Sequence, residues 1–224
     1  MKHRSYVIIL IALVSVVILA LIQPREVVAN TCRADLDKDG VPEVLKLSGD
    51  DGTYAQYLTI HSGSNEIYRI DLTEIKPWKV QTADVDGDGR LEISIGVYKT
   101  TRADQNMRKR PFLYSWDGKG LQPKWLGSRL SRPFEDYIFS DIDDDGLDEL
   151  IAMEYLFDGQ MLLCAYKWKG FGFEGIGESP TYSGIKNLTI NMTENAQLEA
   201  DILENNKWHH AVYRYRNDAL IPLN

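Results

Sequence analysis

The sequence predicts an all-β protein built from repeated four-stranded units, and three observations carry that prediction. One acidic motif, D-x-D-x-D-G-x-x-E, occurs three times: "DLDKDGVPE" at 35–43, "DVDGDGRLE" at 84–92 and "DIDDDGLDE" at 141–149. Each copy runs directly into an apolar stretch, "EVLKLSG", "EISIGVY" and "ELIAMEY". These stretches are rich in Val, Ile, Leu and Tyr and lack helical spacing of the apolar positions, so they read as strands. Turn signals such as "GDDG", "DGKG" and "KGFG" divide the rest of each repeat into further short strands. Recurrence at roughly fifty residues marks a structural repeat.

The elements are taken in chain order. In the first repeat, "TCRADL" leads into the acidic loop and is followed by "PEVLKLS", "AQYLTIHS" and "EIYRIDL". The second runs "WKVQTADV", "LEISIGVY", "PFLYSWD" and "LQPKWLGS", and the third "DYIFSDI", "DELIAMEY", "MLLCAYKW" and "FGFEGIGE". The remaining residues fit the same frame. In "NMTENAQLE", 191–199, Asn191, Thr193 and Asn195 stand where the aspartates should be, Ala196 replaces the glycine, and Glu199 keeps the closing acid. This fourth copy has lost its charge and, with it, the expectation of a bound ion. The repeats span 30–76, 77–132, 133–182 and 183–224. Four-stranded units of this length predict a β-propeller of four four-stranded blades. The ring is expected to close within one chain, with a homodimer as the alternative, because an open arc would leave strand edges exposed.

Like charges crowded into nine residues call for a hard divalent cation. Calcium takes six to eight oxygen ligands, and alternate side chains of a tightly curled loop can supply them. The glycine permits the sharp bend, having no Cβ to oppose positive φ. An EF-hand is excluded: its loop needs a glutamate at the twelfth position and flanking helices, whereas here the glutamate is ninth and strands come next. The repeat resembles the FG-GAP, or VCBS, family, the blade type of the integrin α-subunit head, and "ADVDGDGRLEISIGVY" is particularly close to its pattern. The chain departs from that family in lacking a clear FG-GAP tripeptide before the loops and in holding four units where seven are usual. The resemblance implies calcium in the loop between the first two strands of each blade, about three ions in all. By position the side-chain ligands would be Asp35, Asp37, Asp39 and Glu43; Asp84, Asp86, Asp88 and Glu92; and Asp141, Asp143, Asp145 and Glu149. Backbone carbonyls would come from Val41, Arg90 and Leu147. A structural role is expected for these ions, since closely packed carboxylates repel until a cation joins them.

Length and charge agree with this picture. The chain has 224 residues, 44% of them hydrophobic, and a formal net charge of −8, which fits one domain with a short appendage. Much of the acidity lies in the loops, and it offers no support for nucleic acid as a partner. The amino-terminal segment, 1–29, places Lys2 and Arg4 before an apolar run from Val7 to Ile22, then Pro24 and the small-residue stretch Val27-Val28-Ala29. It predicts either a cleaved signal peptide or an uncleaved membrane anchor. Both put the remainder outside the cytoplasm, where calcium is abundant enough to fill weak sites. A lipoprotein anchor is disfavoured, because "ANT" before Cys32 lacks the residues of a lipobox. Cys32 and Cys164 fall on non-equivalent strands, and no disulfide is expected between them.

No phosphate-cradling glycine loop, zinc motif or nucleophile elbow is present in the sequence, so no catalytic residue is assigned and the chain is read as a non-enzyme. His209 and His210, adjacent on a strand, should point to opposite faces. The segment "KTTRADQNMRKRP", 99–111, lengthens one connection and carries Arg102, Arg108, Lys109 and Arg110. These are the candidate contacts for an acidic partner, and neutralising Arg108, Lys109 and Arg110 is expected to leave the fold intact. Trp116, Trp125, Trp168 and Trp208 recur at strand positions and are expected to pack in the core. The reading is an exported, calcium-stabilised binding or scaffolding protein with a protein or cell-surface glycan as partner. A carbohydrate-binding lectin and a subunit of an extracellular enzyme are the alternatives.

Overall fold

The computed structural model describes residues 28–49, 52–102, 104–127, 130–191 and 197–223. The apolar segment before Val28 and the centre of the fourth loop, including Thr193, Asn195 and Ala196, lie outside the described residues. Among those described, no helix is long and apolar enough to cross a membrane.

The chain is all-β and forms four consecutive antiparallel meanders in the order the repeats predict. The first comprises β1 (Val28–Ala34), β2 (Glu43–Ser48), β3 (Tyr57–Ser62) and β4 (Asn65–Asp71). The second comprises β5 (Pro77–Ala83), β6 (Glu92–Lys99), β7 (Arg108–Trp116) and β8 (Leu121–Trp125). The third comprises β9 (Phe134–Ser140), β10 (Glu149–Tyr155), β11 (Met161–Trp168) and β12 (Phe173–Glu178). The fourth comprises β13 (Gly184–Asn191), β14 (Gln197–Glu204), β15 (Lys207–Arg216) and β16 (Ala219–Leu223). Each acidic motif therefore joins the first strand of a meander to the second.

Burial explains why the second strands are continuously apolar. Ile93, Ile95 and Val97 of β6 pack against Leu45, Leu47, Leu58 and Ile60 of the first meander. The opposite face of β6 meets the third meander, where Ser94 Oγ and Tyr137 Oη lie 2.8 Å apart in a buried hydrogen bond. On β10, Leu150 and Ala152 face one core with Tyr137, Leu162 and Tyr166. Its alternate residues, Ile151 and Met153, face another with Leu198, Ala200 and Tyr213 of the fourth meander. A strand covered on both faces loses the polar alternation of a half-exposed one.

The first strands lie side by side in series: β1 beside β5, β5 beside β9, and β9 beside β13. Among the described residues no comparable packing returns β13 to β1, so the expected closure of a four-unit ring through the first meander is not seen. The fourth meander closes on the third instead. β12 and β16 pair in parallel at Glu178 and Ala219, giving one eight-stranded sheet in the order β13-β14-β15-β16-β12-β11-β10-β9. With β13 also against β9, that sheet is nearly a barrel around its own core. The junction has local causes. Asn217 and Asp218 both adopt positive φ, the backbone of a tight two-residue hairpin that returns the chain as β16. Gly177 lets this hairpin approach, since a Cβ there would sit 2.9 Å from the Asp218 carbonyl oxygen. Tyr215 Oη then donates to the Ile176 carbonyl at 3.1 Å.

Replacing Gly177 with alanine should therefore cost about 1–3 kcal/mol through overpacking. Urea unfolding reads the loss, and faster amide exchange in β16 locates it; unchanged exchange there would mean that the junction does not depend on this approach.

Candidate metal centres

The three acidic loops share one backbone. The fourth and sixth positions are left-handed in each: Lys38 and Gly40, Gly87 and Gly89, Asp144 and Gly146. The sixth-position glycine was legible in the motif; the fourth-position turn was signalled only by Gly87. Each loop winds around the carboxylate of its first aspartate. Asp35 accepts from the amides of Asp39 at 3.1 Å and Gly40 at 2.9 Å. Asp141 accepts equivalently from Asp145 at 3.2 Å and Gly146 at 2.9 Å, and Asp84 accepts from Gly87 at 2.8 Å. The fifth-position aspartate caps the next turn: Asp39, Asp88 and Asp145 accept from the amides of Val41, Arg90 and Leu147 at 2.7, 2.7 and 3.0 Å.

The ninth-position glutamate is the deepest part of each loop. Glu43, Glu92 and Glu149 are buried at the start of the second strand. One oxygen of each accepts from the amide of the loop's second residue, Leu36 at 2.9 Å, Val85 at 3.2 Å and Ile142 at 3.1 Å. That latch leaves the other oxygen to the loop interior. The carboxylates that converge closely enough to share an ion are Asp35, Asp37 and Asp39 in the first loop, Asp84, Asp86 and Glu92 in the second, and Asp141, Asp143 and Glu149 in the third. Of the expected side-chain ligands, Glu43, Asp88 and Asp145 thus stand outside the closest sets.

The third loop has acceptor oxygens that the chain itself leaves without a hydrogen bond. Asp143 Oδ1 and Glu149 Oε1 are buried without a hydrogen-bond partner, and an all-oxygen donor set of this kind suits a hard divalent ion. Burial pushes the Glu149 carboxyl up to about 7; the Ile142 amide and Lys167 oppose that rise and Asp143 adds to it. Burial likewise raises Glu92.

Several participants were not legible in the motif. Lys124 on β8 ion-pairs with Asp86 and with Glu92, the latter at 2.5 Å. Lys167 on β11 contacts Asp143 at 2.8 Å, Asp145, and Glu149 at 3.3 Å. Asp148, an extra acid at the eighth position of the third loop, ties two loops together: its carboxylate accepts from the Asp84 amide and its own amide donates to the Asp84 carbonyl, both at 2.9 Å. Leu147 closes the same seam, lying where a Cβ on Gly87 would come within 2.7 Å. Lys38 reaches from the first loop to Gly89 of the second. Strand pairing, not local sequence, brings these groups to the site.

The basic segment is arranged differently from expectation. Arg110 is 0% exposed. Its guanidinium donates to the carbonyls of Lys99 at 2.7 Å, Asp104 at 3.3 Å and Asn106 at 3.0 Å, and to the Asp104 carboxylate at 3.2 Å. It organises the β6–β7 connection and does not face a partner. Arg108 pairs with Asp104 at 3.2 Å and Lys109 with Glu135 at 2.8 Å, while Arg102 remains exposed. Trp125 and Trp168 pack edge-on with Phe173 and Trp116 with Tyr68. Trp208, by contrast, is exposed, with Lys186 Nζ 4.0 Å from its ring centre. Both cysteines are free, Cys164 within the core and Cys32 near Thr82. His210 faces Asp201 and Glu199 on the outer surface of β14.

Two outcomes are expected. The folded-state value of Glu149 lies above the ordinary 4.5, so its stabilising contribution is full below pH 4.5 and is lost as pH rises through about 7. In chelator, Glu149→Gln should therefore gain stability relative to the native chain between pH 5 and 8, by an amount on the order of 3 kcal/mol at most. In excess calcium the sign should reverse. Denaturant unfolding at both pH values checks this; the same sign with and without calcium would remove Glu149 from the ligand set. Arg110→Gln should destabilise by about 3 kcal/mol or more, as loss of one partner of a buried pair does, whereas Lys109→Gln should stay within about 1 kcal/mol. Equal losses in urea unfolding would contradict the anchoring role.

No protein-family model and no curated protein matches the chain. Among solved structures it is similar to a Xanthomonas type IV secretion system related protein, at 13% identity and a TM-score of 0.37, covering 80% of this chain and 97% of that one. A likeness at that level carries no argument about function.

Proposed function

We propose that the chain is an exported, non-enzymatic binding or scaffolding protein whose repeats are blades of a propeller-like arc stabilised by calcium. The observation that carries this reading is the recurrence, in three separate loops, of one backbone path with converging carboxylates over a buried, latched glutamate. Acids are retained at these places against their own repulsion, which is the expected cost of holding a hard cation. The residues that would hold it are the converging sets, with Glu43, Asp88 and Asp145 close by as further donors. The face-to-face stacking of the meanders supports blades. The apolar amino-terminal run supports export, with the repeats outside the membrane.

A structural ion leaves recognition to other surfaces. Arg102, together with the outward parts of Arg108 and Lys109, is the remaining basic surface for an acidic protein or glycan partner. The other indoles are buried or half-buried, which leaves Trp208 as the one exposed tryptophan among the described residues, so a stacking platform of the lectin type has little support.

Thermal unfolding of the purified protein in calcium and then in excess chelator tests the reading. Each site filled at a hundredfold excess over its dissociation constant should raise the midpoint by about 5–10 °C. An unchanged midpoint would remove calcium from the proposal.

A further inference from the structure

The three loops are alike in backbone and unlike in their surroundings, and the difference is a lysine. In the second loop, Lys124 Nζ reaches Asp86 Oδ2 and Glu92 Oε1, two of the three carboxylates that converge there. In the third, Lys167 Nζ reaches Asp143 Oδ2 and Glu149 Oε1, again two of three. Both lysines are largely buried, with side-chain exposures of 16% and 18%. The ammonium thus stands among the oxygens that a metal ion would need. In the first loop, no lysine, arginine or histidine among the described residues pairs with Asp35, Asp37, Asp39 or Glu43.

Strand register explains the asymmetry. Leu150 pairs with Tyr166, so Glu149 lies opposite Lys167 at the end of β11. Val44 pairs with His61, which puts the uncharged Ser62 at that place in the first meander. Ile93 pairs with Tyr114, which puts Ser115 there in the second. The second loop acquires its lysine from another strand: β8 is bulged, with Trp125 opposite Leu113 and Pro123 opposite Tyr114, and Lys124 is the extra residue. One ammonium position is therefore reached from two unrelated points of the repeat, which inheritance of a common unit would not produce.

We infer that Lys124 and Lys167 are internal competitors for the cation positions of the second and third loops, so that the first loop is the high-affinity divalent site and the others admit an ion only by displacing a lysine. This rests on the calcium reading above and adds a rank order to it. A divalent ion and an ammonium sharing the same carboxylate oxygens in a partly buried site repel each other strongly, so the two occupants exclude one another. The third loop ranks second. Lys167 reaches only one oxygen of Asp143 and leaves Oδ1 buried without a partner, whereas no buried orphan oxygen is found in the second loop. The arrangement offsets part of the negative charge of those two loops when calcium is scarce and leaves the first as the one that responds to it most.

Calorimetric titration of the full chain with calcium chloride tests this. The native chain should bind one ion at least tenfold more tightly than any other. Lys167→Met should bring the number of tight ions to two, and Lys124→Met together with Lys167→Met to three. Asp37→Asn in the native background should abolish the tight ion, a result that does not require the lysine variants to fold. Three equivalent ions in the native chain, with two equally tight ones left in Asp37→Asn, would overturn the lysine inference while leaving the calcium reading in place. No heat and no shift in unfolding midpoint with calcium, in the native chain or any variant, would overturn both.

Discussion

A buried carboxylate at the root of each central strand is the constraint on which the rest depends. Glu43, Glu92 and Glu149 sit where the acidic loop ends and the strand begins, and each spends one oxygen on a loop amide. That hydrogen bond fixes the loop's entry relative to its exit, and so sets the spacing of the first and second strands. In Glu92 and Glu149 the other oxygen is left among neighbouring aspartates in a poorly solvated place. A buried charge has to be neutralised, paired or protonated, and the three loops show more than one of these answers. Lys124 and Lys167 pair two of the glutamates, and burial drives the Glu149 proton affinity upward. A divalent ion would meet the same demand for all three.

The loops are also not independent of one another. Asp148 holds the start of the second loop through two backbone-level hydrogen bonds, and Leu147 packs where Gly87 has no side chain. Lys38 spans the first and second loops beside Gly89. These contacts arise because the meanders lie side by side through their first strands, which brings the same end of each repeat to one face. A change in one loop's charge therefore acts on its neighbour through short, ordered contacts, and the three acidic motifs form one electrostatic surface.

Much of this was legible in the sequence because the repeat states it three times. Sixteen strands in four groups, and the position of each acidic loop between first and second strands, could be read from the recurrence of one motif and the apolar runs behind it. The limits of legibility lie where distant strands meet. Nothing near Asp86 or Asp143 announces Lys124 or Lys167, because a bulge in β8 and the register of β11 deliver them. Arg110 reads as one more cation of a basic run, yet the carbonyls of Lys99, Asp104 and Asn106 enclose it. The union of the third and fourth meanders depends on Gly177 and on a hairpin forty residues further along the chain (roughly one repeat). The repeat pattern implies four equal blades and has no means of marking such a junction.

The two ends of β6 solve one problem with opposite charges. At its start, Glu92 is a buried anion that meets a cation from another strand. At its far end, Arg110 is a buried cation that meets carbonyls and one carboxylate of the connection it closes. A guanidinium has five donors and can satisfy several main-chain oxygens at once; Nε and Nη2 of Arg110 do so here, while Nη1 is buried without a partner. A carboxylate has acceptors only, and an ammonium has three donors to share among crowded acids. In the third loop Asp143 shows the shortfall, with Oδ1 left over, while Glu149 Oε1 has only the Lys167 ammonium, 3.3 Å away. Unpaired groups are thus found on both sides of the charge balance, but only a leftover acceptor among crowded acids is a demand that a cation can meet.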